Sequence, residues 1–531
     1  MRIHRIPFAD IPQLSQRDIA YNDGNDQLTS FYKYPVTLEA FADVMADKQL
    51  STEQRQLLVK VLSKQYEAFD TSELVQEQIE KLGEDNTYTV ITAHQPSLFT
   101  GPLYFVYKII SAIHLSRTLN ERYPDKQIVP LFITGGEDHD FEEVNHLQLF
   151  GQRIEWQSGE AGSVGMMKTS SLGPVLEDLA DKLGGSENAK AIYQLIEEAH
   201  RSHERYSKAV IHLVNSLFGK HGLVVLDMNQ ADLKRAFIPV VREELINRPS
   251  EDLVNREAER LVQAGFKQQA MPREINFFYL KEQLRERIVW EEDQYKVLNT
   301  DLRFSEAEML EELEKHPERF SPNVVTRPLY QEFSLPNLAY IGGGGELAYW
   351  MERQPQFAHF GINFPMLIRR NSVLWLDKGS NKKRLKFDIS IPDLFQDTDS
   401  LIRAFVHNNA SEELVFEEES KQFTAVYDSL AQTAKRIDPT LSKAILAEQS
   451  RAFKSLEQLQ NRIVRAEKQK HETALNQIRK LKDRLYPNLG LQERHDNFME
   501  LYLKYGETFF DLLLQHLNPL KKGFVVVEDN G

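Results

Sequence analysis

The feature of this chain that most constrains its fold is the alternation of short apolar runs with helical patterns. The run "YTVITA" (88–93) precedes a helical pattern from Gly101 to Tyr123, and "IVPLFIT" (128–134) follows it. Short runs that are apolar throughout are typical of strands buried on both faces. A strand, a helix and a second strand in this order predict a right-handed βαβ unit in a mainly parallel sheet.

Three further apolar stretches extend the predicted sheet. They are "GLVVLD" (222–227), "LAYIGG" (338–343) and a stretch at 364–377 that contains "FPMLI" and "SVLWLD". We therefore predict an α/β core over residues 1–400. Because ligands bind beyond the carboxyl ends of the strands in such sheets, the loops that follow these stretches are candidates for function.

Two regions interrupt this core, and we interpret them as insertions that form an accessory lobe. Residues 152–220 contain two polar helical patterns and "SVGMM", a predicted short strand. Residues 228–325 contain helices followed by "INFFYL" and "RIVWEEDQYKVL", whose patterns predict antiparallel strands.

The C-terminal part of the chain is predicted to be helical over residues 401–520. Between about 411 and 487, apolar residues follow three- and four-residue spacing, and Asp438-Pro439 interrupts them. This pattern predicts two antiparallel helices in a coiled coil. Their apolar stripe would be covered by the chain's own core or by a second copy, and we favour a homodimer. Residues 521–531 predict a terminal strand that returns to a sheet.

Composition excludes several classes of protein. The chain has 531 residues, no cysteine and a net charge of −15, so it has no thiolate nucleophile and no overall attraction to nucleic acid. The run "NKKRLK" is basic, but short basic runs are usually solvated. No apolar stretch reaches the roughly eighteen residues of a membrane span, and the N-terminus lacks the apolar segment of a signal peptide. We predict a cytoplasmic protein that binds neither membranes nor nucleic acid.

The first candidate loop lies in "TAHQPSLFTGPLYFVYK" (92–108), after the first predicted strand. Thr100 is a predicted N-cap, and the helix that it opens at Gly101 could attract an anion through its N–H groups and dipole. The alternative is a well-capped structural helix that binds nothing. The polar residues at the end of the strand favour a binding site. The predicted substrate-binding residues of this segment are His94, Gln95, Thr100, Gly101, Tyr104 and Lys108.

The second candidate loop is "GGEDHDFEEVNH" (135–146), which follows the next predicted strand. Its glycines permit a sharp turn and close approach of a ligand. A histidine beside carboxylates could act as an oriented base. The alternatives are a metal site that includes His94 and His146, a cradle for an amine, or a solvated loop. The predicted catalytic residues are Glu137, Asp138, His139 and Asp140.

Two further motifs complete the candidate site. In "PNLAYIGGGGELAYW" (336–350), Gly343 and Glu346 lie in a glycine-rich turn that matches neither a dinucleotide-binding nor a Walker loop. In "LIRRNSVLWL", Arg369, Arg370 and Asn371 interrupt an apolar run. Paired arginines suit a carboxylate or phosphate, or else form internal salt bridges. Arg327, in "VVTRPLYQEF", is open to the same two interpretations. Together the loops predict a pocket for a small zwitterionic or polyanionic substrate.

These segments resemble a known family. "FTGPLYFVYKIISAI", "GGEDHDFEEVNH", and "YIGGGGELAYW" followed by "RRNSVLWLD" are similar to the BshC family, the cysteine-adding enzymes of bacillithiol biosynthesis. The resemblance covers most of the chain, including the coiled coil. The chain departs from the family at 93–95, where Ala-His-Gln replaces Gly-Gln-Gln or Gly-His-Gln, and at Gly344, where the family often has proline.

The resemblance implies a Rossmann-like core with inserted connecting-peptide regions, a C-terminal coiled coil and a dimer. It also implies a ligase that joins the carboxyl of L-cysteine to the amine of glucosaminyl malate. The two malate carboxylates would suit Arg369, Arg370 or the helix start at Gly101. The amine would suit the carboxylates at 137–140, with His139 as proton acceptor. ATP is expected as the activating nucleotide although no ATP motif is present, and a metal is not expected.

Two other functions are consistent with the residues themselves. One is a nucleotidyltransferase-like enzyme acting on a small acid, with the first loop holding phosphate. The other is a non-catalytic coiled-coil scaffold whose α/β part only binds a metabolite.

Overall fold

The computed structural model describes residues 1–410 and 417–529, and the chain divides into two compact units. The main unit comprises residues 5–374 and 490–525. The helical unit comprises the described residues among 1–4, 375–489 and 526–531. All of the candidate loops belong to the main unit.

Fifteen strands occur in the described residues, and they form four sheets. The strands are β1 (Arg2–Ile6), β2 (Thr87–His94), β3 (Gln127–Thr134), β4 (His146–Leu149), β5 (Gln152–Glu155), β6 (Val224–Asp227), β7 (Phe277–Lys281), β8 (Leu284–Glu291), β9 (Gln294–Val297), β10 (Arg303–Phe304), β11 (Phe320–Pro322), β12 (Asn337–Gly342), β13 (Met366–Arg369), β14 (Val373–Leu376) and β15 (Phe524–Glu528). The sheet orders are β13-β12-β2-β3-β6, β10-β9-β8-β7-β11, β1-β15-β14 and β4-β5.

The α-helices of the described residues are distributed over both units. In the main unit they are α1 (Gln16–Asp23), α2 (Phe41–Asp47), α3 (Thr52–Tyr66), α4 (Glu73–Lys81), α5 (Tyr104–Arg122), α6 (Phe141–Val144), α7 (Gly173–Leu183), α8 (Glu187–Arg201), α9 (Tyr206–Phe218), α10 (Ala231–Ala236), α11 (Ile238–Ile246), α12 (Pro249–Gln263), α13 (Glu306–Lys315), α14 (Arg327–Ser334), α15 (Gly344–Trp350) and α16 (Gln354–His359). In the helical unit they are α17 (Lys378–Lys386), α18 (Thr398–Asn409), α19 (Glu417–Ile437), α20 (Pro439–Lys470) and α21 (Glu472–Leu485). The main unit ends with α22 (Met499–Tyr505) and α23 (Thr508–His516).

The first sheet confirms the predicted α/β fold. Its five strands pair in parallel throughout. Side chains alternate between two cores: Val90 packs in one apolar cluster, and Ile91 packs in the other. This burial on both faces explains why these strands read as continuous apolar runs. The carboxyl ends of β2, β3 and β12 consequently lie next to one another, and their loops share one edge of the sheet.

The second insertion contains the antiparallel sheet. The strands predicted from "INFFYL" and "RIVWEEDQYKVL" are present as β7, β8 and β9. Glu292 and Asp293 join β8 to β9 with positive φ angles of 53° and 59°, as a two-residue hairpin turn requires.

The strand prediction for "SVGMM" is wrong, because this segment is a short 3₁₀ turn at Val164–Met166. Its backbone is used to hold the loop after β3. Val164 N–H donates to the carbonyl of Asp138 (2.7 Å), and Gly165 N–H donates to that of Gly136 (2.8 Å). These donors are therefore not available for a sheet ladder.

The predicted helix start at Thr100 is also wrong, since α5 begins at Tyr104. Thr100 and Gly101 have positive φ angles of 73° and 62°, which no α-helical residue adopts. Thr100 is buried, and Asn497 Nδ2 donates to the carbonyl of Gly101 (2.6 Å). The segment is thus a tightly held turn ahead of the helix, and Thr100 does not cap it.

The helical unit contains the predicted coiled coil, of which residues 411–416 lie outside the described residues. Phe423 on α19 contacts Phe453 on α20 with ring centroids 5.6 Å apart. These residues lie fifteen positions before and after Asp438, so the two helices run antiparallel. Within the described ranges, no helix is long and apolar enough to cross a membrane.

Candidate active site

A cavity of about 610 Å³ lies at the carboxyl edge of the parallel sheet. The loops after β2, β3, β6 and β12 bound it, together with the antiparallel sheet and the start of α14. Of the residues predicted from the sequence, those lining it are His94, Gln95, Tyr104, Lys108, Glu137, Asp138, Gly343, Glu346 and Arg370. The predicted residues outside its lining are Thr100, Gly101, His139, Asp140, Arg369 and Asn371.

The loop after β3 is held from both sides. Gly135 N–H donates to the carbonyl of His94 (2.7 Å), which ties it to the loop after β2. The Ser163 hydroxyl donates to the carbonyl of Gly136 (2.6 Å). A Cβ on Gly165 would lie 2.7 Å from that carbonyl oxygen, so only glycine permits this approach. The 163–165 turn thereby fixes the acidic loop against the cavity.

The carboxylate of Asp138 accepts hydrogen bonds on both of its oxygen atoms. Its Oδ2 accepts from Gln95 Nε2 (2.7 Å), and its Oδ1 accepts from the backbone N–H of His139 (2.7 Å). The guanidinium of Arg285 lies 3.8 Å from the same Oδ1. Burial alone would raise the pKa of Asp138, but Arg285 and the hydrogen bonds lower it below its ordinary value. Asp138 is therefore ionised at neutral pH.

His139 is directed away from the main cavity. It lines a separate cavity of about 270 Å³, and its ring packs beside Phe278. Arg285 Nη1 lies 2.6 Å from His139 Nδ1, and because a guanidinium only donates, Nδ1 is the acceptor and the proton is on Nε2. This arrangement does not place a free base in the main cavity. Asp140 is exposed beside it.

The predicted alternative of a metal site in this loop is not supported by the geometry. His146 begins β4, and its Nδ1 lies 3.0 Å from the side-chain oxygen of Asn145. Within residues 1–410 and 417–529, no three His, Asp or Glu side chains converge so that they could hold a metal ion.

Buried Lys108 and partly buried Glu346 form an ion pair that joins the first and third loops. Their charged atoms are 2.7 Å apart, and Lys108 Nζ also donates to the carbonyl of Ala93 (2.6 Å). Glu346 accepts from the N–H of Gly343 (2.9 Å) and the hydroxyl of Tyr340 (2.7 Å). Burial favours the neutral acid, but Lys108 and these donors lower the pKa of Glu346 to about 2. Glu346 therefore caps α15 and neutralises Lys108.

Glu137 and His94 complete the predicted residues of the lining. Glu137 forms an ion pair with the buried Lys234, which also donates to the carbonyl of Glu318 (3.0 Å). Burial, followed by the nearby charge of Lys108, lowers the pKa of His94 to about 3. His94 is therefore neutral at physiological pH, and it contributes a polar ring rather than a charge.

Arg369 and Arg370 form internal ion pairs, which was the alternative to substrate binding. Arg369 donates twice to Asp18, at 2.8 and 3.0 Å. Arg370 donates twice to Glu493, at 3.0 and 2.8 Å, and both partners are almost fully buried. The geometry thus satisfies both guanidinium groups without a ligand. Asn371 likewise donates to the carbonyl of Asn518 (3.1 Å).

Several lining residues were not predicted from the sequence. Arg285 comes from β8, and Arg494 comes from the loop after the helical unit. Arg327, at the start of α14, was a sequence candidate for binding an anion or forming a salt bridge, and it lines the cavity. Glu143 lies in the acidic loop but was not among its predicted catalytic residues; its Oε2 accepts from Gln95 Nε2 (3.2 Å). No motif marks Arg285 or Arg494, because each reaches the cavity through tertiary packing.

The glycine-rich turn gives a prediction from two adjacent residues. A Cβ on Gly344 would lie 2.4 Å from Asp18 Oδ2, which Arg369 holds in place, whereas a Cβ on Gly345 would meet open space. We expect Gly344→Ala to lower the free energy of unfolding by about 1–3 kcal/mol. We expect Gly345→Ala to change it by less than about 1 kcal/mol, towards stabilisation. Chemical denaturation of both variants measures the difference, and equal stabilities would contradict it.

Comparison with known proteins identifies the family of this chain. Residues 1–371 match the family model described as the N-terminal Rossmann-like domain of BshC of bacillithiol biosynthesis, and residues 373–528 match its C-terminal coiled-coil domain. The chain belongs to the BshC family. The family assignment, the Rossmann-like fold and the coiled coil predicted from the sequence are thereby confirmed.

Individual BshC relatives match over nearly their whole lengths. Proteins named "Putative cysteine ligase BshC" are 41% identical in Flavobacterium johnsoniae, with 96% of each chain covered, and 32% identical in Cytophaga hutchinsonii, with 97% of each covered. A relative from Bacillus anthracis is 29% identical over 93% of this chain and 94% of its own. These matches confirm the predicted enzyme class, a ligase.

Proposed function

We propose that this protein joins the carboxyl of L-cysteine to the amine of glucosaminyl malate to form bacillithiol. The observation that supports this most directly is the cavity at the sheet edge, where ionised Asp138 lies among several cationic side chains. A cavity of about 610 Å³ is in the range that binds small metabolites. The relatives' shared name supplies the ligase activity and the cysteine substrate.

The proposed reaction forms one carbon–nitrogen bond. The amine nitrogen attacks the carboxyl carbon of cysteine, one carbon–oxygen bond breaks, and the nitrogen loses a proton. We assign Asp138 as the proton acceptor, since its orientation is fixed and, unlike Glu137 and Glu346, it does not form an ion pair with a lysine. His139, the base predicted from the sequence, lies on the other side of Arg285.

The oxygen that leaves the cysteine carboxyl requires a co-substrate to carry it. We propose ATP, which releases this oxygen within phosphate or AMP. The glycine-rich turn is a poor phosphate cradle, because the N–H of Gly343 already donates to Glu346. We therefore assign no residue to the nucleotide. Release of ADP would indicate activation of the carboxyl as an acyl phosphate, and release of AMP would indicate an acyl adenylate.

A component-omission assay tests the proposed function. Purified protein is incubated with cysteine, glucosaminyl malate and ATP, and bacillithiol is measured by mass spectrometry with each component left out in turn. We expect product only when glucosaminyl malate, cysteine and ATP are all present, and product formed without ATP would contradict ATP as the co-substrate. Pyrophosphate release without cysteine would instead indicate a nucleotidyltransferase, and no turnover with any combination would favour a non-catalytic scaffold.

We also propose that the protein forms a homodimer through the coiled coil. Large apolar side chains on α19 and α20 are exposed in the single chain, with exposed fractions between 46% and 57%. They are Val426, Leu430, Leu441, Leu446, Leu459 and Ile463. A stripe of this kind is typical of an interface between helices.

Charged substitutions in this stripe test the dimer. We expect Leu459→Glu with Ile463→Glu to raise the dimer dissociation constant by at least about a hundredfold, because each buried aliphatic side chain contributes about 1.5–3 kcal/mol. Light scattering after size-exclusion chromatography measures the mass. Gln458→Glu with Asn461→Glu adds the same charge at exposed polar positions and is the matched control. A monomeric wild-type protein at micromolar concentration would contradict the proposal.

A further inference from the structure

Most of the charged side chains around the cavity are already neutralised by each other. Lys108 pairs with Glu346, and Arg370 pairs with Glu493. Each of these four groups has a charged partner within 3.0 Å. Glu137 likewise pairs with Lys234. A ligand would have to break a buried ion pair to use any of them, which is costly.

Arg285 and Asp138 are also engaged with each other. Their charged atoms are 3.8 Å apart, and Arg285 additionally stacks on the ring of Phe278, with 4.0 Å between the guanidinium carbon and the ring centroid. Its other contacts are His139, the hydroxyl of Ser321 and the carbonyl of Pro322. Arg285 and Asp138 therefore form part of the cavity lining, and the carboxylate of Asp138 faces the cavity.

Three charged side chains of the lining remain without an oppositely charged partner among the described residues. Arg494 is exposed and has no side-chain hydrogen bond or ion pair there. Arg327 donates to the hydroxyl of Tyr349 and to the side-chain oxygen of Gln331 and forms no ion pair there. The nearby charge of Glu346 acts on Arg327, but Lys108 already pairs with that carboxylate. Glu143 accepts only from the amide of Gln95. The cavity thus presents two uncompensated positive charges and one uncompensated negative charge.

We infer that Arg327 and Arg494 bind the two carboxylates of the malate moiety, and that Glu143 binds the amine in its protonated form. This inference rests on the proposed function and names the residues that recognise its acceptor substrate. Glucosaminyl malate carries two carboxylates and one amine, which is the complement of the three unpaired charges. Guanidinium groups are suited to carboxylates because their planar donors match the two oxygens.

The position of Glu143 also connects binding to the reaction. Gln95 Nε2 lies 3.2 Å from Glu143 and 2.7 Å from Asp138, so both carboxylates lie around one nitrogen atom. An ammonium group held by Glu143 is therefore near Asp138, the assigned proton acceptor. Substrate recognition and deprotonation of the amine take place at adjacent side chains.

Binding measurements with matched ligands test the two arginines. Isothermal titration of the full-length protein with glucosaminyl malate is compared for wild type, Arg494→Gln and Arg327→Gln. We expect each substitution to weaken binding about ten- to hundredfold, the effect of losing one charge-assisted hydrogen-bonded contact. With methyl glucosaminide, which lacks both carboxylates, the three proteins should bind equally. Arg122→Gln, at the far end of α5, is the control and should bind like wild type.

The role of Glu143 is tested by the same binding measurement, with a ligand whose amine is acetylated. Glu143→Gln should weaken binding of glucosaminyl malate about tenfold or more, and the difference should disappear with the N-acetylated ligand, which carries no positive charge. Because Glu143 and Arg494 are both exposed, their substitution leaves the packed interior unchanged. Thermal unfolding verifies that Arg327→Gln, which is half-buried, is folded.

The outcomes separate this inference from the proposed function. If wild type ligates cysteine but the three variants bind glucosaminyl malate as wild type does, the residue assignment is wrong and the function stands. If the arginine variants lose ATP affinity and keep affinity for glucosaminyl malate, these arginines bind phosphate and the inference is overturned. If wild type neither binds nor ligates glucosaminyl malate, both fail.

Discussion

Replacing Asp138 by asparagine is expected to lower the turnover of cysteine ligation by about a hundredfold or more, the usual contribution of a positioned general base. The amide has the same shape, and its single oxygen can keep the contact to the backbone N–H of His139. Its NH₂ group can pair with Gln95 once the side-chain amide of Gln95 turns over and presents its oxygen. The asparagine amide cannot accept a proton from the attacking amine. The loss should therefore appear in kcat, while KM for glucosaminyl malate changes less, because other residues hold the substrate.

Asp140 provides the matched control for this substitution. It lies two residues further along the same loop, is exposed and does not line the cavity. Asp140→Asn should retain turnover within about threefold, since it removes the same charge at a site without substrate contact. Initial rates of bacillithiol formation measure both variants. Full turnover by Asp138→Asn would show that the proton acceptor is another group.

Replacing Arg370 by methionine is expected to lower the free energy of unfolding by about 3–5 kcal/mol, the typical cost of breaking a buried ion pair. Glu493 is fully buried, and Arg370 supplies two of its hydrogen bonds. Burial opposes ionisation of Glu493, but Arg370 lowers its pKa below the ordinary value in the folded protein. Without the arginine, the same burial favours the protonated acid.

The dependence on pH distinguishes this effect from a general loss of packing. In wild type, the lowered pKa of Glu493 contributes stability that is present above the unfolded pKa and is lost as the pH falls. In Arg370→Met, the buried carboxylate destabilises the fold most where it must be ionised, so the deficit should be larger at pH 8 than at pH 5. Denaturant unfolding at both values measures it.

A double variant shows whether the unpaired charge is the cause. Arg370→Met with Glu493→Met removes both charges, and it should recover a large part of the stability lost in the single variant. A single variant as stable as wild type would contradict the cost that we assign to leaving the Glu493 carboxylate without its partner.

Much of the fold could be predicted because its signals are local. The strands β2, β3 and β12 are apolar on both faces, and this pattern is independent of what packs against them. The antiparallel helices α19 and α20 were predictable from the spacing of apolar residues and the proline at 439. The errors at Thr100 and at 163–167 have one cause: in both segments the backbone is held by distant groups rather than by its neighbours.

The candidate site was predictable only in part, for a related reason. Residues that end a parallel strand are brought together by the sheet itself, so Gln95, Asp138 and Glu346 could be assigned to one edge from their positions alone. Whether a charged side chain in that edge is free or paired depends on partners far away in the sequence. Arg370 and Glu493 are 123 positions apart, and no spacing rule connects them.

The sequence by itself determined the class of fold, the family and the edge of the sheet where the site lies, because apolar periodicity and loop motifs are encoded within short segments. Only the tertiary structure decided which charges that site can offer to a ligand. Arg369 and Arg370 are neutralised by buried carboxylates, whereas Arg327 and Arg494 remain without such partners in the described chain. Whether a charged side chain in a buried site has an oppositely charged partner depends on contacts between distant segments of the chain. The local sequence does not specify those contacts.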